Sequence, residues 1–225
     1  VHLCPVSRKL LEKAKNLKLI ALFATGYKNI DTAYAREKGI TVCNAGSYST
    51  SAVAQQVFAY ILNHASKVAD YDRDVKDGAW IRSRLFCFFS RPTEELAGKT
   101  LGIFGYGAIG KRVAAIAKAF EMRVIVTTRT PQIDASVEFV DFDTLLRESD
   151  YLSVNCPLNE STKEKFNSDA FSKMKKGAYF INTARGGVIN EQALADALES
   201  GHLAGAGVAY AHGSACFLHL WTQFA

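Results

Sequence analysis

Short apolar runs alternate with helix-forming segments along most of the chain. From Lys99 onward, the runs are rich in Ile, Val, Phe and Tyr and lack the polar alternation of a half-exposed sheet. Such runs are typical of parallel strands that are buried on both faces. The predicted strands are Thr100 to Phe104, Val124 to Thr127, Tyr151 to Asn155, Ala178 to Asn182 and Leu203 to Val208. The pattern predicts an α/β fold with a doubly wound parallel sheet.

Helical spacing and capping signals place crossover helices between these strands. Apolar residues recur at helical spacing in a segment that begins near Lys111. Asn190 is the predicted N-cap of a helix over Glu191 to Ser200, and Gly201 is the predicted stop.

The first fifty residues show the same pattern on a smaller scale. Ser7 and Asp31 are predicted helix caps, and strands are predicted at Leu19 to Phe23 and Thr41 to Asn44. These elements predict a second, incomplete α/β unit.

A long helical pattern then runs from about Thr50 to about Lys76 and ends near Gly78. This length exceeds that of an ordinary crossover, so the segment is predicted to be a connector or an interface helix. The following segment, Trp80 to Pro92, mixes aromatic and Arg residues without a clean period and is predicted to be a loop.

Composition excludes several classes of protein. The chain has 225 residues, of which 48% are hydrophobic and 22% charged, and no apolar stretch approaches the ~20 residues of a membrane span. The net charge of +5 is spread along the chain and does not indicate nucleic acid binding. The five cysteines form no C-x-x-C and no metal-ligand spacing, so we expect no metal site and a cytoplasmic location: Cys4, Cys43, Cys87, Cys156 and Cys216.

The strongest chemical motif is Gly105-Tyr106-Gly107-Ala108-Ile109-Gly110, directly after one predicted strand and before a helix. In this context Gly105 permits a tight turn, Gly107 lets the backbone approach a pyrophosphate, and Gly110 allows close packing of helix on strand. The start of the helix offers unpaired N–H groups to the anion, and Ala108 and Ile109 of the motif are further predicted cofactor-binding residues. The motif therefore predicts dinucleotide binding.

The end of the second strand bears on which dinucleotide is bound. Thr128 stands where an acidic residue normally binds the adenosine ribose of NAD, and Arg129 follows it. Without a carboxylate, a 2′-phosphate is not repelled, and a guanidinium can pair with it. We therefore expect NADP, with NAD still possible if Arg129 stacks on adenine or points into solvent.

A further polar segment follows the predicted strand that ends at Asn182. Arg185 lies in the glycine-containing turn at this strand end, where ligands of open α/β sheets bind. It could hold a substrate carboxylate, or it could be a surface Arg in a glycine loop.

Together, the motifs from Val1 to Val208 resemble the D-isomer-specific 2-hydroxyacid dehydrogenases. The resemblance rests on Ala24 to Asp31, Ser51 to Ala54, Glu95 to Thr100, the glycine motif, Cys156 to Leu158 and Asn182 to Gly187. The run Phe86-Cys87-Phe88-Phe89 further resembles the glycerate dehydrogenase and hydroxypyruvate reductase branch.

The resemblance implies hydride transfer between NAD(P)H and a small 2-oxo acid, with hydroxypyruvate or glyoxylate as the expected substrate. It implies a flavodoxin-like substrate domain, of which residues 1–50 are a part, and a Rossmann-like cofactor domain over residues 51–208. Backbone N–H groups around Thr25, Gly26 and Tyr27 would hold the substrate carboxylate together with Arg185. Further cofactor contacts are implied at Cys156, Pro157, Thr162, Thr183 and Ala184.

The resemblance ends at Ala209, where the family has an Asp. The family's catalytic His and its Glu partner are not identifiable, and His212 and His219 have the wrong spacing. We therefore interpret residues 209–225 as an aberrant tail and the chain as a fragment that is inactive alone. An alternative is a dinucleotide-binding regulatory module without turnover.

Two expectations concern partners. The helix from Thr50 resembles the family's dimer-forming element and carries more apolar residues than one buried face requires, which predicts a homodimer: Val53, Val57, Phe58, Tyr60, Ile61 and Leu62. A nucleic-acid site on Lys163, Lys165, Lys173, Lys175 and Lys176 is a weaker alternative, since these lysines are more simply the solvated face of a predicted helix around Phe166, Phe171 and Met174.

Overall fold

The computed structural model describes residues 5–27, 29–130 and 132–209. The chain divides into two compact units between Ser51 and Ala52. The first unit contains α1 (Arg8–Lys13), β1 (Leu19–Ala21), α2 (Thr32–Glu37) and β2 (Thr41–Cys43). Its two strands pair in parallel. A small apolar core that includes Leu11, Leu22, Tyr34 and Ile40 lies in this unit.

The second unit contains a six-stranded parallel sheet and its helices. After α3 (Thr50–Ser66) and α4 (Val68–Lys76) come β3 (Thr100–Phe104), α5 (Ala108–Ala119), β4 (Arg123–Thr127), β5 (Glu138–Phe139), α6 (Phe142–Glu148), β6 (Tyr151–Val154), α7 (Ser168–Lys173), β7 (Tyr179–Asn182), a 3₁₀ turn (Gly186–Val188), α8 (Glu191–Glu199) and β8 (Gly205–Val208). The strand order is β5-β4-β3-β6-β7-β8. The predicted doubly wound fold is confirmed.

In the central strands of this sheet, successive residues point to opposite faces, and both faces are buried. Leu101 and Ile103 join the apolar core beneath α3 and α5, whereas Leu152 and Phe180 join the core beneath α6, α7 and α8. Because both faces are covered, the strands read as continuous apolar runs.

The prediction of one continuous helix from Thr50 to Lys76 is wrong. Lys67 has the left-handed backbone angles φ 53° and ψ 37°, and it separates α3 from α4. The Asn63 side chain accepts a hydrogen bond from the Ala69 N–H at 3.1 Å, which caps the start of α4. Residues Trp80 to Pro92 form turns and irregular structure, as predicted.

Other element boundaries differ by one to three residues. The glycine-motif helix begins at Ala108 and not near Lys111, and β8 begins at Gly205 and not at Leu203. Asp31 and Asn190 cap their helices as predicted, whereas Ser7 occupies an N-cap position without a side-chain hydrogen bond. The short edge strand β5 was not predicted, because only two residues pair.

The predicted lysine-rich helix is also wrong in extent. Only Lys173 lies on α7, while Lys163, Lys165, Lys175 and Lys176 lie outside it. Phe166, Phe171 and Met174 are core residues, as expected. Lys173 pairs with Asp143 and Asp169, and Lys175 pairs with Asp150. Two of these five lysines are therefore paired with nearby carboxylates.

The apolar excess predicted on α3 is largely explained within the unit. Ala54, Val57, Phe58, Ile61 and Ala65 form its buried stripe. Tyr60 and Leu62 are partly buried and pack against the same core.

Among the described residues, no helix has the length and apolar character needed to cross a membrane.

Candidate functional site

The chemistry-bearing segments of the second unit meet at one edge of its sheet. Phe104 is in register with Thr127 of β4 and with Val154 of β6, and Val154 is in register with Asn182 of β7. The residues that follow these four are therefore neighbours in a row: Thr128, Gly105, Asn155 and Thr183. The sheet order changes direction between β3 and β6, which is where open α/β sheets bind ligands.

The glycine turn at the centre of this row is closely packed. Gly105 has φ +100°, and a Cβ there would lie 2.9 Å from the Cys156 backbone nitrogen. A Cβ on Gly110 would collide with the Gly105 carbonyl oxygen, so α5 can approach β3 only with glycine at this position. The structural roles predicted for both glycines agree with this geometry.

Gly107 differs from the other two glycines of the motif. It is the exposed N-cap of α5, and a Cβ there would have no atom within 4 Å. Ala108 is also exposed and Ile109 is partly exposed. No side chain caps this helix, so its first N–H groups can bind an anion.

The segment after β4 carries the predicted 2′-phosphate residues. Thr128 is partly buried and Arg129 is exposed. The Gly105 N–H donates to the Thr127 carbonyl oxygen at 2.9 Å, which places these residues beside the glycine turn. Among the described residues, no carboxylate forms an ion pair with Arg129, so its charge is not neutralised there.

The segment after β6 is held by its own hydrogen bonds. The Thr162 hydroxyl donates to the Pro157 carbonyl oxygen at 2.7 Å and accepts from the Asn159 N–H at 2.9 Å. These two hydrogen bonds give Thr162 a structural role in this segment. Its contact with the cofactor stays a prediction. Burial raises the pKa of Cys156 to about 11, so its thiol is protonated at neutral pH and is a poor nucleophile.

The segment after β7 is organised by Asn182. The Asn182 side chain accepts from the Ala184 N–H at 3.0 Å and donates to the Arg185 carbonyl oxygen at 2.9 Å. Thr183 is buried, Ala184 is partly exposed and Arg185 is exposed. Arg185 donates to the Ala184 carbonyl oxygen at 2.8 Å, which orients its guanidinium at the sheet edge.

This edge has features that fit a dinucleotide. The Gly107 position is open where a pyrophosphate would approach, and the adjacent helix start provides N–H donors. Two buried polar atoms at the edge, Asn155 Oδ1 and Thr183 Oγ1, have no hydrogen-bond partner among the described residues. Asn155 was missed from the sequence, although its position directly after a strand was a usable signal.

The described histidines lie away from this edge. The His64 ring packs on Tyr179, the first residue of β7, with ring centroids 4.2 Å apart. His202 Nε2 lies 3.0 Å from the Met174 carbonyl oxygen, shortly before β8. Both are therefore near the amino ends of the strands. His212, His219 and the predicted aberrant tail beyond Ala209 lie outside the described residues.

The first unit contains the predicted substrate-carboxylate loop. The Thr25 hydroxyl donates to the Gly46 carbonyl oxygen at 2.8 Å, and Asn44 donates to the Thr25 carbonyl oxygen at 2.8 Å. Among described residues, no acceptor binds the N–H groups of Thr25, Gly26 and Tyr27. A cavity of about 570 Å³, lined in part by Tyr27 and Asn44, lies in this unit.

Comparison with known proteins defines the family. The family described as "D-isomer specific 2-hydroxyacid dehydrogenase, NAD binding domain" matches residues 58–211, which is more than half of the chain. The chain belongs to this family.

Within the described residues, no group of three or more His, Cys, Asp or Glu side chains could hold a metal ion.

Curated relatives include several reductases of small 2-oxo acids. The chain is 38% identical over 207 residues to a glycerate dehydrogenase of Methylorubrum extorquens, with 92% of the chain and 65% of the relative covered. It is 41% identical over 204 residues to a hydroxypyruvate reductase of Thermotoga maritima, covering 90% and 65%. A glyoxylate reductase of Thermococcus litoralis is 40% identical over 213 residues, covering 90% and 63%. The chain thus spans less than two thirds of these relatives.

Solved structures of similar fold contain both kinds of dinucleotide. A D-lactate dehydrogenase from Aquifex aeolicus, complexed with NAD and lactic acid, has a TM-score of 0.82 and 32% identity, with 98% of this chain and 66% of that chain covered. An acyclic imino acid reductase (Bsp5), in complex with NADPH and D-Arg, has a TM-score of 0.84 and 32% identity, covering 95% and 69%.

Proposed function

We propose that this chain is part of an NADP-dependent reductase of small 2-oxo acids, and that it contains the cofactor-binding domain and a portion of the substrate domain. The observation that carries this proposal is the glycine turn, where Gly105 and Gly110 are required for packing while Gly107 leaves open space at a helix start. The names of the curated relatives favour hydroxypyruvate or glyoxylate as the substrate.

The reaction adds a hydride to the keto carbon and a proton to the resulting alkoxide oxygen. When bound, the reduced nicotinamide supplies the hydride and becomes oxidised. The residues of the chain bind and orient the reactants. In the second unit, Arg185 pairs with the substrate carboxylate. In the first unit, the N–H groups of Thr25, Gly26 and Tyr27 are the proposed substrate-binding donors. Cys156, Pro157, Thr183 and Ala184 line the cofactor.

The proton donor is not among the described residues of the cofactor edge. Both described histidines lie near the amino ends of the strands, so neither His64 nor His202 suits this role. The lack of a suitable His among the described residues is the only support for the second candidate function, a dinucleotide-binding module without turnover.

NADP is the proposed cofactor because Thr128 replaces the usual acid and Arg129 offers an exposed guanidinium beside the glycine turn. NAD binding is the alternative, because one similar solved structure contains NADPH and another contains NAD.

Calorimetric titration with NADPH and NADH, together with reductase assays on hydroxypyruvate and glyoxylate, tests the function. We expect NADPH to bind more tightly. Oxidation of NADPH by either substrate supports the enzyme, and Arg185→Gln should then weaken substrate binding and turnover together. The reductase assays use a full-length clone, because this chain is expected to be inactive alone. Dinucleotide binding without turnover in that clone favours the module, whereas no binding of either dinucleotide contradicts both.

A homodimer in the cytoplasm is proposed as the working state. Its support is a run of exposed apolar side chains after α4, namely Ile81, Leu85, Phe86 and Phe89, which are 89%, 70%, 97% and 79% exposed. Light scattering after size exclusion tests it: Phe86→Ser with Phe89→Ser should convert a dimer to a monomer. The free thiols of Cys43, Cys87 and Cys156 agree with a reducing compartment.

A further inference from the structure

Two buried polar atoms on neighbouring residues of the cofactor edge have no hydrogen-bond partner among the described residues. They are Asn155 Oδ1 and Thr183 Oγ1, and no described residue supplies a partner for either. Val154 and Asn182 are paired in the sheet, so the residues after them are neighbours. A buried polar group without a partner costs about 1–3 kcal/mol, and proteins keep few of them. Two of them at the edge where open α/β sheets bind ligands point to partners from outside the protein chain.

The orientation of the Asn155 amide follows from its neighbours. Its Nδ2 donates to the Ser153 carbonyl oxygen at 3.2 Å and to the Ser153 hydroxyl at 3.1 Å. Because a carbonyl oxygen only accepts, it must face the NH₂ group of the amide. Asn155 Oδ1 is therefore left to accept from an N–H or O–H donor of another molecule.

The Thr183 hydroxyl is not needed to hold its own turn. Thr183 is 7% exposed, and the turn after it is fixed by the two hydrogen bonds of the Asn182 side chain. A hydroxyl can donate or accept, so Thr183 complements the acceptor on Asn155.

The sheet order indicates which half of a dinucleotide reaches these atoms. Arg129 and the predicted adenosine end lie after β4, on one side of the glycine turn, whereas Asn155 and Thr183 lie on the other side, after β6 and β7. A dinucleotide that crosses the turn therefore places its nicotinamide riboside over β6 and β7. Ribose hydroxyls and the carboxamide NH₂ are donors, while the pyrophosphate oxygens only accept.

We propose that Asn155 Oδ1 and Thr183 Oγ1 bind the nicotinamide riboside through its hydroxyl or amide donors and thereby orient the nicotinamide ring. This inference rests on the dinucleotide binding proposed above, and it assigns the side chain of Asn155 to the site.

Calorimetry with three ligands tests the assignment on the full chain. NADPH carries both donor groups, 2′-phospho-ADP-ribose keeps only the ribose, and 2′,5′-ADP lacks both. Asn155→Leu and Thr183→Val should each weaken NADPH binding about tenfold and leave the affinity for 2′,5′-ADP unchanged. A matching loss for 2′-phospho-ADP-ribose assigns the contact to the ribose, and no loss assigns it to the carboxamide. If NADH binds more tightly than NADPH, the same test uses the three ligands without the 2′-phosphate, namely NADH, ADP-ribose and 5′-AMP.

Thermal unfolding separates binding from folding. Without ligand, Thr183→Val should not lower the unfolding temperature, because it removes an unpaired hydroxyl. The control Ser149→Ala removes a buried hydroxyl that donates to the Leu145 carbonyl oxygen, so it should lower that temperature and leave NADPH affinity unchanged.

NADPH affinities within twofold of the wild type for both variants overturn the assignment while the proposed function stands. An equal loss for 2′,5′-ADP also overturns it, because the substitutions would then have distorted the whole edge. Failure of the wild-type chain to bind any dinucleotide instead overturns the proposed function, and this inference with it.

Discussion

The Tyr106 hydroxyl donates a hydrogen bond to Asp134 Oδ2 at 2.7 Å and joins the glycine turn to the segment after β4. Gln132 adds a second link by donating to the Tyr106 carbonyl oxygen at 3.1 Å. Burial raises the pKa of Tyr106 to about 12, and hydrogen bonds from Ser136 and Tyr106 lower the pKa of Asp134 to about 2. At neutral pH, a neutral phenol therefore donates to a carboxylate, so the bond is charge-assisted.

Tyr106→Phe should lower the free energy of unfolding by about 1–2 kcal/mol, since it removes this bond from a buried ring. Asp134 keeps its hydrogen bonds from Ser136, so no carboxylate is left without a donor. Urea unfolding measures the change. The control Tyr71→Phe removes a bond to the neutral carbonyl oxygen of Arg91 and should cost less. An equal or larger loss in the control would contradict the charge-assisted character of the Tyr106 bond.

Alanine at Gly107 should weaken NADPH binding and leave stability nearly unchanged, whereas alanine at Gly110 should lower stability. Gly107→Ala places a methyl group in open space, so we expect stability within about 0.5 kcal/mol of the wild type and NADPH binding weakened at least about tenfold. Gly110→Ala forces a collision with the Gly105 carbonyl oxygen and should cost about 1–3 kcal/mol of unfolding free energy. Urea unfolding and calorimetry measure the two effects. Unchanged NADPH affinity in Gly107→Ala would contradict the proposed pyrophosphate approach.

The residues explain why the sheet was predictable and parts of the site were not. Strands such as Tyr151–Val154 are buried on both faces, so every position is apolar or small and the run is visible in the sequence. The break at Lys67 depends on one left-handed residue and on the Asn63 side chain, which the apolar period does not reveal. Asn155 Oδ1 has no partner because the residues packed around it supply no hydrogen-bond donor. That packing is visible only in the structure.

Arg129→Leu tests whether the residue binds a 2′-phosphate or stacks on adenine. Loss of a charge-assisted contact should weaken NADPH binding about 10- to 100-fold and leave NADH binding nearly unchanged. Titrations with 2′,5′-ADP and 5′-AMP should show the same selectivity, since they differ at the 2′-phosphate. Arg129→Lys, which retains the positive charge but not the planar fork, should give an intermediate loss. An equal loss for both dinucleotides would favour stacking.

His64 should make stability depend on pH below neutrality. Its side chain is 12% exposed. Burial, with a smaller contribution from the Lys67 charge, lowers the pKa of His64 to about 4, while Glu94 acts in the opposite direction. Burial raises the pKa of Glu94, but hydrogen bonds from Tyr151 and Lys99 outweigh it, and that pKa lies below its usual value. The lowered pKa favours the carboxylate form of Glu94 beside His64.

The lowered pKa of His64 makes the protein less stable as the pH falls. The unfolded chain takes up a proton near pH 6.5, while the folded chain does not. The contribution of His64 is fully present above pH 6.5 and is lost as the pH falls towards 4. We expect a loss of about 2 kcal/mol, after allowing for partial solvent screening. Urea unfolding between pH 7 and 4.5 measures it. His64→Gln should remove this dependence, and Lys67→Gly, which tolerates the left-handed backbone, should reduce it. Identical pH profiles for His64→Gln and the wild type would contradict the assignment to His64.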